Sequence, residues 1–166
     1  GVPMLAELEL GFLHTGARVI AVTGTNGKTT TTELLRAMLA ACGEDVVLAG
    51  NNSYPLSLAA VERPDARYAV VEVSSYQLET CNAFHPWLAC VLNLTPDHLG
   101  RHGTMENYAA TKAKLFARQG AGDAAVVNEE DDFVKAMPMP TATRRMSFST
   151  CHEVTDGLWS DGHGIF

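Results

Sequence analysis

The sequence predicts an α/β fold: a doubly wound, mainly parallel sheet with helices on both faces. Short apolar runs alternate along the 166 residues with segments of helical periodicity, as in successive β-α units. Several of these runs are rich in Val, Leu and Ala throughout, which is typical of parallel strands buried on both faces. A glycine-rich loop joins the first run to the first helix, where α/β domains commonly bind phosphate.

The elements follow in order along the chain. Predicted strands, the last of them weakly patterned, cover residues 18–23, 45–49, 67–73, 88–94, 124–128 and 145–148. Predicted helices cover residues 28–42, 55–61, 75–84 and 104–118. The first helix ends before Gly43, and its inward stripe is predicted to contain Leu34, Leu35, Met38, Leu39 and Cys42. Residues 137–166 are otherwise weakly patterned and have no predicted role.

Composition excludes several classes of function. The net charge is −7 and the basic residues are scattered, which argues against a nucleic-acid surface. No apolar stretch approaches the ~20 residues of a membrane span. The four cysteines are widely spaced, without a C-x-x-C pair, and are expected to be reduced core residues of a cytosolic protein. The sequence starts Gly-Val-Pro, so we expect a fragment of a longer chain.

The segment VIAVTGTNGKTTTT, residues 19–32, has the features of a phosphate loop. Glycines let backbone amides approach phosphate oxygens, Lys28 can neutralise the β- and γ-phosphates, and the Thr29 hydroxyl can bind Mg²⁺. The standard pattern requires a further glycine where this chain has Val22, so the loop reads G-x-x-G-K-T. The alternative is a glycine-rich turn with a solvated lysine. We predict a nucleoside triphosphate site, with ATP as the ligand.

Polar residues follow the first four predicted strands, and these strand ends should face one crevice. The second strand leads into the turn at 50–55, the third into SSYQ at 74–77, and the fourth into Asn93, Thr95, Asp97 and His98. Glu72 lies within the apolar run YAVVEV, where a buried carboxylate needs a partner. A Mg²⁺ ligand opposite the phosphate loop is the favoured interpretation, and a glutamate on an exposed edge is the alternative.

Lys112 falls on the inward stripe of the predicted helix at 104–118, together with Tyr108 and Phe116. A lysine on this face either extends its amine to solvent or meets an anion or metal site. The pattern alone favours extension to solvent, and the sequence leaves both possibilities open.

Four segments together resemble the central ATP-binding domain of the Mur ligase family, which also includes folylpolyglutamate synthetase: GVPMLAELELGF, TGTNGKTTT, VVEVSSYQLE and NLTPDHLGRHGTMENYAATKAKLF. The resemblance covers essentially the whole chain. VVEVSSYQLE is the more specific segment and resembles the branch that adds D-glutamate to UDP-N-acetylmuramoyl-L-alanine. The resemblance implies that residues 1–15 lead in from a missing N-terminal domain. Residues 16–166 would be the ATP-binding domain, incomplete at its C-terminal end.

The resemblance also implies roles for individual residues. The triphosphate would contact Gly24, Thr25, Asn26, Gly27, Lys28, Thr29 and Thr30. Two Mg²⁺ ions would be held by Thr29, Glu72, His98 and Lys112, the lysine carrying a carbamate. The substrate would contact Asn51, Ser74 and Gln77. Lys28, His98 and Lys112 would act in catalysis.

The reaction implied by the resemblance is amide-bond formation through an acyl phosphate in bacterial peptidoglycan synthesis. Its partners would be ATP, a UDP-muramoyl precursor and an amino acid, with no nucleic acid or membrane. We expect a monomeric cytoplasmic protein whose present chain is inactive alone. The alternatives are another Mur or folylpolyglutamate-type ligase and a non-catalytic nucleotide-binding module.

Four positions depart from the family pattern. Asn52 and Ser53 lie in the turn where the family usually has G-N-I-G-x-P, Gly100 stands where it commonly has Asp, and Tyr76 replaces Phe. The missing glycine at 53 would alter the backbone near the substrate, and Gly100 could remove a contact that supports a metal ligand.

Overall fold

The fold is a parallel α/β sheet, seen here in a computed structural model that describes residues 4–51 and 54–166. Within these ranges the sheet contains β1 (Arg18–Thr23), β2 (Val46–Gly50), β3 (Tyr68–Glu72), β4 (Leu88–Val91), β5 (Ala124–Asn128), β6 (Arg144–Ser149) and β7 (Gly157–Trp159). The helices are α1 (Glu7–His14), α2 (Lys28–Ala41), α3 (Leu56–Glu62), α4 (Ser75–Glu79), α5 (Leu99–His102), α6 (Met105–Ala113) and α7 (Asp132–Lys135). The strand order is β2-β3-β1-β4-β5-β6-β7, and every neighbouring pair is parallel. The predicted fold class is confirmed.

Helices cover both faces of the sheet. Consecutive strand residues point to opposite faces, so each strand contributes side chains to the core on either side. Val19 and Ala21 of β1 belong to the larger core, which also holds buried leucines from α1, α3 and α4. Ile20 points the other way, into a smaller cluster with Leu35 and Leu39 of α2. β1 is therefore buried on both faces, as its continuous apolar run predicts.

The predicted stripe of α2 is too wide. Leu35 and Leu39 pack against the sheet, but Leu34 and Met38 are 58% and 56% exposed and Cys42 is also exposed. The cluster under α2 is small, so a single i,i+4 row of side chains suffices to cover it.

Two predicted helices end early. The helix predicted to reach residue 84 ends at Glu79, and the one predicted to reach residue 118 ends at Ala113. Beyond Ala113 the chain continues in tighter turns, in which the Leu115 and Phe116 amides donate to carbonyls three residues earlier. These turns still bury Leu115 and Phe116.

Strand bounds agree with the sequence prediction to within one or two residues, except that β4 ends at Val91 rather than at residue 94. Helices α1, α5 and α7 and strand β7 were not predicted. The segment 137–166, which had no predicted role apart from one weak strand, contains both β6 and β7.

Residues 1–15 were predicted as a lead-in, and their described part, residues 4–15, contains helix α1, which packs against α3. Leu8 is fully buried, and the Glu7 carboxylate accepts a hydrogen bond of 2.7 Å from the Ser57 amide. The described part of this segment therefore contributes to the hydrophobic core.

The carboxyl ends of β1, β3 and β4 meet at one edge of the sheet, as the strand register requires. The Val73 amide donates to the Val22 carbonyl there, and the Leu92 amide donates to the Thr23 carbonyl. The loops that follow these strands are thus held side by side. Among residues 4–51 and 54–166, no helix has the length and apolarity to cross a bilayer.

Candidate functional site

The phosphate loop runs from Gly24 to Gly27 between β1 and α2. Gly27 adopts φ 82°, a left-handed conformation that favours glycine, and it caps the start of α2. The loop is held by Asn93 after β4: the Thr25 amide donates to the Asn93 carbonyl, and the Asn26 amide donates to its side-chain oxygen, both at 2.9 Å. The predicted contact of these two amides with phosphate would require them to leave Asn93. The first turn of α2, which starts at Lys28, presents its amides at the same loop.

The Lys28 amine lies over its own loop. It donates to the carbonyl oxygens of Gly24, at 3.1 Å, and Thr25, at 2.8 Å. These contacts keep the charge at the position where the loop would meet an anion.

Glu72 is buried at the end of β3, with 3% of its surface exposed. One carboxylate oxygen accepts from the Thr29 hydroxyl at 2.7 Å, and the other accepts from the Asn51 amide nitrogen at 3.1 Å. An exposed edge is excluded, because β3 lies between β1 and β2. The carboxylate therefore joins the start of α2 to the turn after β2.

Lys112 is 1% exposed, so the interpretation that its amine extends to solvent is wrong. The amine instead donates to the Thr23 hydroxyl and to the Gly24 carbonyl, both at 3.0 Å, and lies 4.9 Å from the centre of the Tyr108 ring. Burial, and to a smaller extent the nearby Lys28 charge, lower the pKa of Lys112 to about 7. A substantial fraction of this amine is therefore neutral and nucleophilic near pH 7.

His98 follows β4 and has a backbone φ of 53°, which is uncommon for a residue other than glycine. Its side chain is 45% exposed, and Nε2 lies 3.3 Å from the Asp97 carboxylate. The imidazole also packs against Tyr76, with 5.1 Å between ring centres.

One cleft of about 130 Å³ brings these segments together. It is lined by Gly24, Lys28, Asn51, Ser74, Ser75, Tyr76, Asp97, His98, Tyr108 and Lys112. Glu72 is connected to this cleft through Asn51. The structure thus brings together residues from all four strand ends that the sequence analysis singled out.

Gln77 has a local structural contact. Its side-chain oxygen accepts from the Ser74 amide at 2.9 Å, while the Ser74 hydroxyl accepts from the Gln77 amide at 3.3 Å. This reciprocal pair is a capping box that starts α4.

A site built only from acids, imidazoles and thiols is not found: within the described ranges no three or more His, Cys, Asp or Glu residues are grouped to hold a metal ion. The predicted ligand set differs in kind, because it combines a hydroxyl, a carboxylate, an imidazole and a modified amine. Its role remains a prediction.

Comparison with known proteins identifies the family. Residues 22–161 match the family described as Mur ligase middle domain. The chain belongs to the Mur ligase family.

Named relatives agree with this assignment. The chain is 48% identical over 164 residues to a UDP-N-acetylmuramoylalanine–D-glutamate ligase of Pelotomaculum thermopropionicum, covering 98% of this chain and 36% of the relative. It is 47% identical over 159 residues to the ligase of the same name from Caldanaerobacter subterraneus, covering 96% and 35%. The chain thus spans about a third of the length of these Mur ligases.

Solved structures show the same fold. A UDP-N-acetylmuramoyl-L-alanyl-D-glutamate–2,6-diaminopimelate ligase superposes with a TM-score of 0.70 at 28% identity, covering 92% of this chain and 36% of the other. Escherichia coli FolC in complex with DHPP and ADP superposes with a TM-score of 0.67 at 18% identity, covering 100% and 53%. The second likeness concerns the fold alone.

The departures from the Mur ligase pattern have different outcomes. Asn52 and Ser53 lie outside the described residues. Gly100 lies in α5, and a Cβ there would meet no heavy atom of the described residues within 4 Å. A Cβ atom would therefore fit at this position.

Two contributors to the site had no specific role predicted from the sequence. Asn93 is recognisable in the sequence only as a polar residue after a strand, and its hold on the phosphate loop depends on loop conformation. Tyr108 is predicted as a core residue and is indeed 1% exposed, but it also lines the cleft, with its hydroxyl 3.4 Å from the Thr25 hydroxyl. Spacing along a helix gives no sign of such a contact.

Proposed function

We propose that this chain is the ATP-binding part of a ligase that adds D-glutamate to UDP-N-acetylmuramoyl-L-alanine in peptidoglycan synthesis. The names of its relatives support this choice of substrates. The proposal includes a monomer that acts in the bacterial cytoplasm on ATP, the UDP-muramoyl precursor and the amino acid. Residues 16–166 would form the nucleotide-binding region, with residues 1–15 leading into it.

The observation that carries the proposal is the buried amine of Lys112 beside the phosphate loop. Its hydrogen bond to the Gly24 carbonyl puts it next to the segment expected to hold the triphosphate. A module that only binds nucleotide has no need of a second lysine there. A ligase that brings a substrate carboxylate to the γ-phosphate of ATP needs several charged groups in one place, because both reactants are anions.

ATP would be held by the loop residues Gly24, Thr25, Asn26, Gly27, Lys28, Thr29 and Thr30. Lys28 would stabilise negative charge on the β- and γ-phosphates once it exchanges its loop carbonyls for phosphate oxygens. Asn51, Ser74 and Gln77 would contact the muramoyl substrate. Asn51 and Ser74 line the cleft and so are suitably placed.

The donor groups fit Mg²⁺. The Thr29 hydroxyl and the Glu72 carboxylate are hard oxygen ligands, already 2.7 Å apart. We assign them to a first ion, and His98 with carbamylated Lys112 to a second. When bound, the ions would neutralise charge between the phosphates and the substrate carboxylate.

The carbamate would convert Lys112 from a nitrogen donor to an oxygen ligand. The neutral amine attacks CO₂, a C–N bond forms, and one proton is released to solvent, which leaves an anionic carbamate. The lowered pKa of Lys112, about 7, supports this step because it supplies the neutral amine without strongly basic conditions.

In the proposed reaction, a substrate carboxylate oxygen bonds to the γ-phosphorus and the bond to the bridging oxygen of ADP breaks. The amine of D-glutamate then attacks the acyl carbon, phosphate leaves, and the nitrogen loses a proton. Lys28 and the loop amides would act in the first step by holding the transferring phosphoryl group. His98 and Lys112 would act in both steps by fixing the charge around the acyl group.

The test uses the full-length protein that carries this chain. Phosphate release from ATP is expected only when UDP-N-acetylmuramoyl-L-alanine and D-glutamate are both present. Release with ATP alone would favour a nucleotide switch. Release with a different precursor or amino acid would favour another ligase of this family.

Glu72→Gln tests the site itself. The variant keeps the size of the side chain but removes the charge, so phosphate release should fall by roughly 100-fold. Glu33→Gln is the matched control, because Glu33 lies exposed on α2 and its one ion pair within the described residues is with Arg36. Equal activity of the two variants would contradict the assignment of Glu72.

A further inference from the structure

His102 is a buried imidazole that the proposed chemistry does not use. It lies in α5 and is 8% exposed. Its Nε2 is 3.0 Å from the hydroxyl oxygen of Ser75, which is itself 2% exposed at the start of α4. A buried polar ring with a buried partner has a fixed orientation.

The imidazole of His102 is the centre of a row of rings. Its centre lies 4.9 Å from that of Tyr108 and 6.0 Å from that of Tyr76. At one end, Tyr76 packs against His98, with 5.1 Å between ring centres. At the other end, the Lys112 amine lies 4.9 Å from the centre of Tyr108. The row therefore connects both groups assigned to the second metal ion.

His102 is held in place by more contacts than Tyr76, the ring at the exposed end of the row. The Asn107 side chain donates to the His102 carbonyl at 3.0 Å. Nδ1 lies 3.9 Å from the Glu79 carboxylate, which is paired with Arg101 at 2.6 Å. By contrast, Tyr76 is 44% exposed. His102 is thus the anchored member against which an exposed ring can settle.

The exposed end of the row needs such support. His98 is nearly half exposed, and its imidazole contacts the Asp97 carboxylate and the Tyr76 ring. A ligand at an exposed position samples many orientations unless its neighbours are fixed.

We propose that His102 is a positioning residue: its ring, packed between Tyr76 and Tyr108, holds His98 and Lys112 in the orientation needed to bind a divalent cation. This inference rests on the proposed function. Packing of the ring is the operative feature, and the hydrogen bond to Ser75 serves to fix that ring.

Two double variants of the full-length protein separate the ring from its hydrogen bond. His102→Phe with Ser75→Ala keeps a ring in the row, and the second change removes the hydroxyl that phenylalanine would leave unpaired. His102→Ala with Ser75→Ala removes the ring in the same background. Ser75→Ala alone is the common reference.

The measurement is Mn²⁺ binding, used in place of Mg²⁺ and followed by the paramagnetic resonance signal of the free ion with ADP present. The Mn²⁺ bound by ADP in a protein-free titration is subtracted, and the affinity compared between variants is that of the second ion bound by the protein. The variant without a ring should bind Mn²⁺ about 10-fold more weakly than the reference, or worse, since loss of such supporting contacts commonly has this effect. The phenylalanine variant should stay within about 3-fold of the reference. Affinity for ADP measured without metal should be the same in all three proteins.

Thermal unfolding of each variant is recorded so that Mn²⁺ binding is compared well below the transition. A purely structural role would lower the unfolding temperature of the ring-free variant and leave its Mn²⁺ affinity unchanged, which would overturn the proposal. Equal loss of Mn²⁺ affinity in both double variants would overturn it as well, because the ring would then be irrelevant.

His98→Ala distinguishes failure of this inference from failure of the proposed function. If His98→Ala weakens Mn²⁺ binding and the ring-free variant does not, the role of His102 is wrong and the metal assignment stands. If His98→Ala leaves both Mn²⁺ binding and ligase activity unchanged, the metal assignment fails and the inference fails with it.

Discussion

Lys112 shows what a single residue can and cannot reveal before the fold is known. Its position on an inward helical stripe is readable from the sequence, and the structure confirms it. Its partners, Thr23 and Gly24, are 89 and 88 residues away in the chain, so no local pattern could name them. Burial was predictable here, but the choice between solvent and an internal partner was not.

The lowered pKa of Lys112 predicts a pH-dependent stability. Between about 7, its pKa in the folded protein, and the ordinary value of 10.5, the unfolded chain binds more protons at this residue than the folded one. The free energy of unfolding contributed by Lys112 therefore rises with pH across this range, by at most about 1.4 kcal/mol per pH unit. Lys112→Met should remove this component, measured by urea unfolding at several pH values in CO₂-free buffer.

The control for this prediction is Lys135→Met, because the Lys135 side chain is 52% exposed. In this variant the free energy of unfolding should rise with pH as steeply as it does in the parent protein. If the free energy of unfolding of Lys112→Met rose with pH as steeply as that of the parent protein, the Lys112 amine would have to stay protonated in the folded protein across this range.

Glu72 is the complementary case at the same scale, because its buried environment was predictable from the sequence. A carboxylate inside an apolar strand must find a polar partner, and the phosphate loop lies on the neighbouring strand. The structure places it against Thr29 and Asn51. The contacts of Asn93 and Tyr108 with the loop were not predictable, since they depend on how separate loops meet.

At the scale of elements, long apolar runs were predicted well and short or context-dependent elements were not. β1 and β5 match their predicted bounds, because an apolar run followed by polar residues marks both ends. β7 has only three residues and exists through its pairing with β6, so no period of its own could reveal it. β4 stops at Val91, where its partner β1 reaches Thr23 and the phosphate loop begins.

Because α1 lies very close to α3, a methyl group added at Gly11 is expected to lower the stability of the protein. A Cβ at Gly11 would lie 2.5 Å from the Ser57 nitrogen and 2.6 Å from the Leu56 carbonyl carbon. Alanine favours the helix by about 1 kcal/mol over glycine, but the backbone clash forces the two helices apart. We expect Gly11→Ala to lower the free energy of unfolding by about 1–3 kcal/mol, measured by denaturant unfolding.

Gly16→Ala is the control for this contact, because its Cβ would lie 3.5 Å from the nearest atom, the Pro64 carbonyl oxygen, which is an ordinary distance. Its stability should change by less than about 1 kcal/mol. If Gly11→Ala were as stable as this control, the packing of α1 on α3 would have to be looser than the structure shows.

At the scale of the whole molecule, the four cysteines fall into two classes that differ in burial. Cys42 and Cys151 are exposed, whereas Cys81 and Cys90 are buried. Burial raises the pKa of both buried thiols to about 12. Cys90 lies in β4 with 7% of its surface exposed, so we expect a thiol reagent to reach it only when the structure around this strand opens.

Thiol labelling of the native protein should therefore proceed in two stages. Cys42 and Cys151 are expected to react at rates close to those of the unfolded chain, and Cys90 to react only as fast as global opening exposes it. In a Cys42→Ser/Cys151→Ser protein, mass spectrometry should find no rapid label, and the slow label at Cys90 should accelerate with denaturant in step with unfolding. A binder such as ADP should slow this label further, because it stabilises the folded state without touching Cys90. Rapid labelling of Cys90 in the native protein would mean that β4 opens locally. It would contradict the rigid arrangement of β1, β3 and β4 that holds the loops of the site side by side.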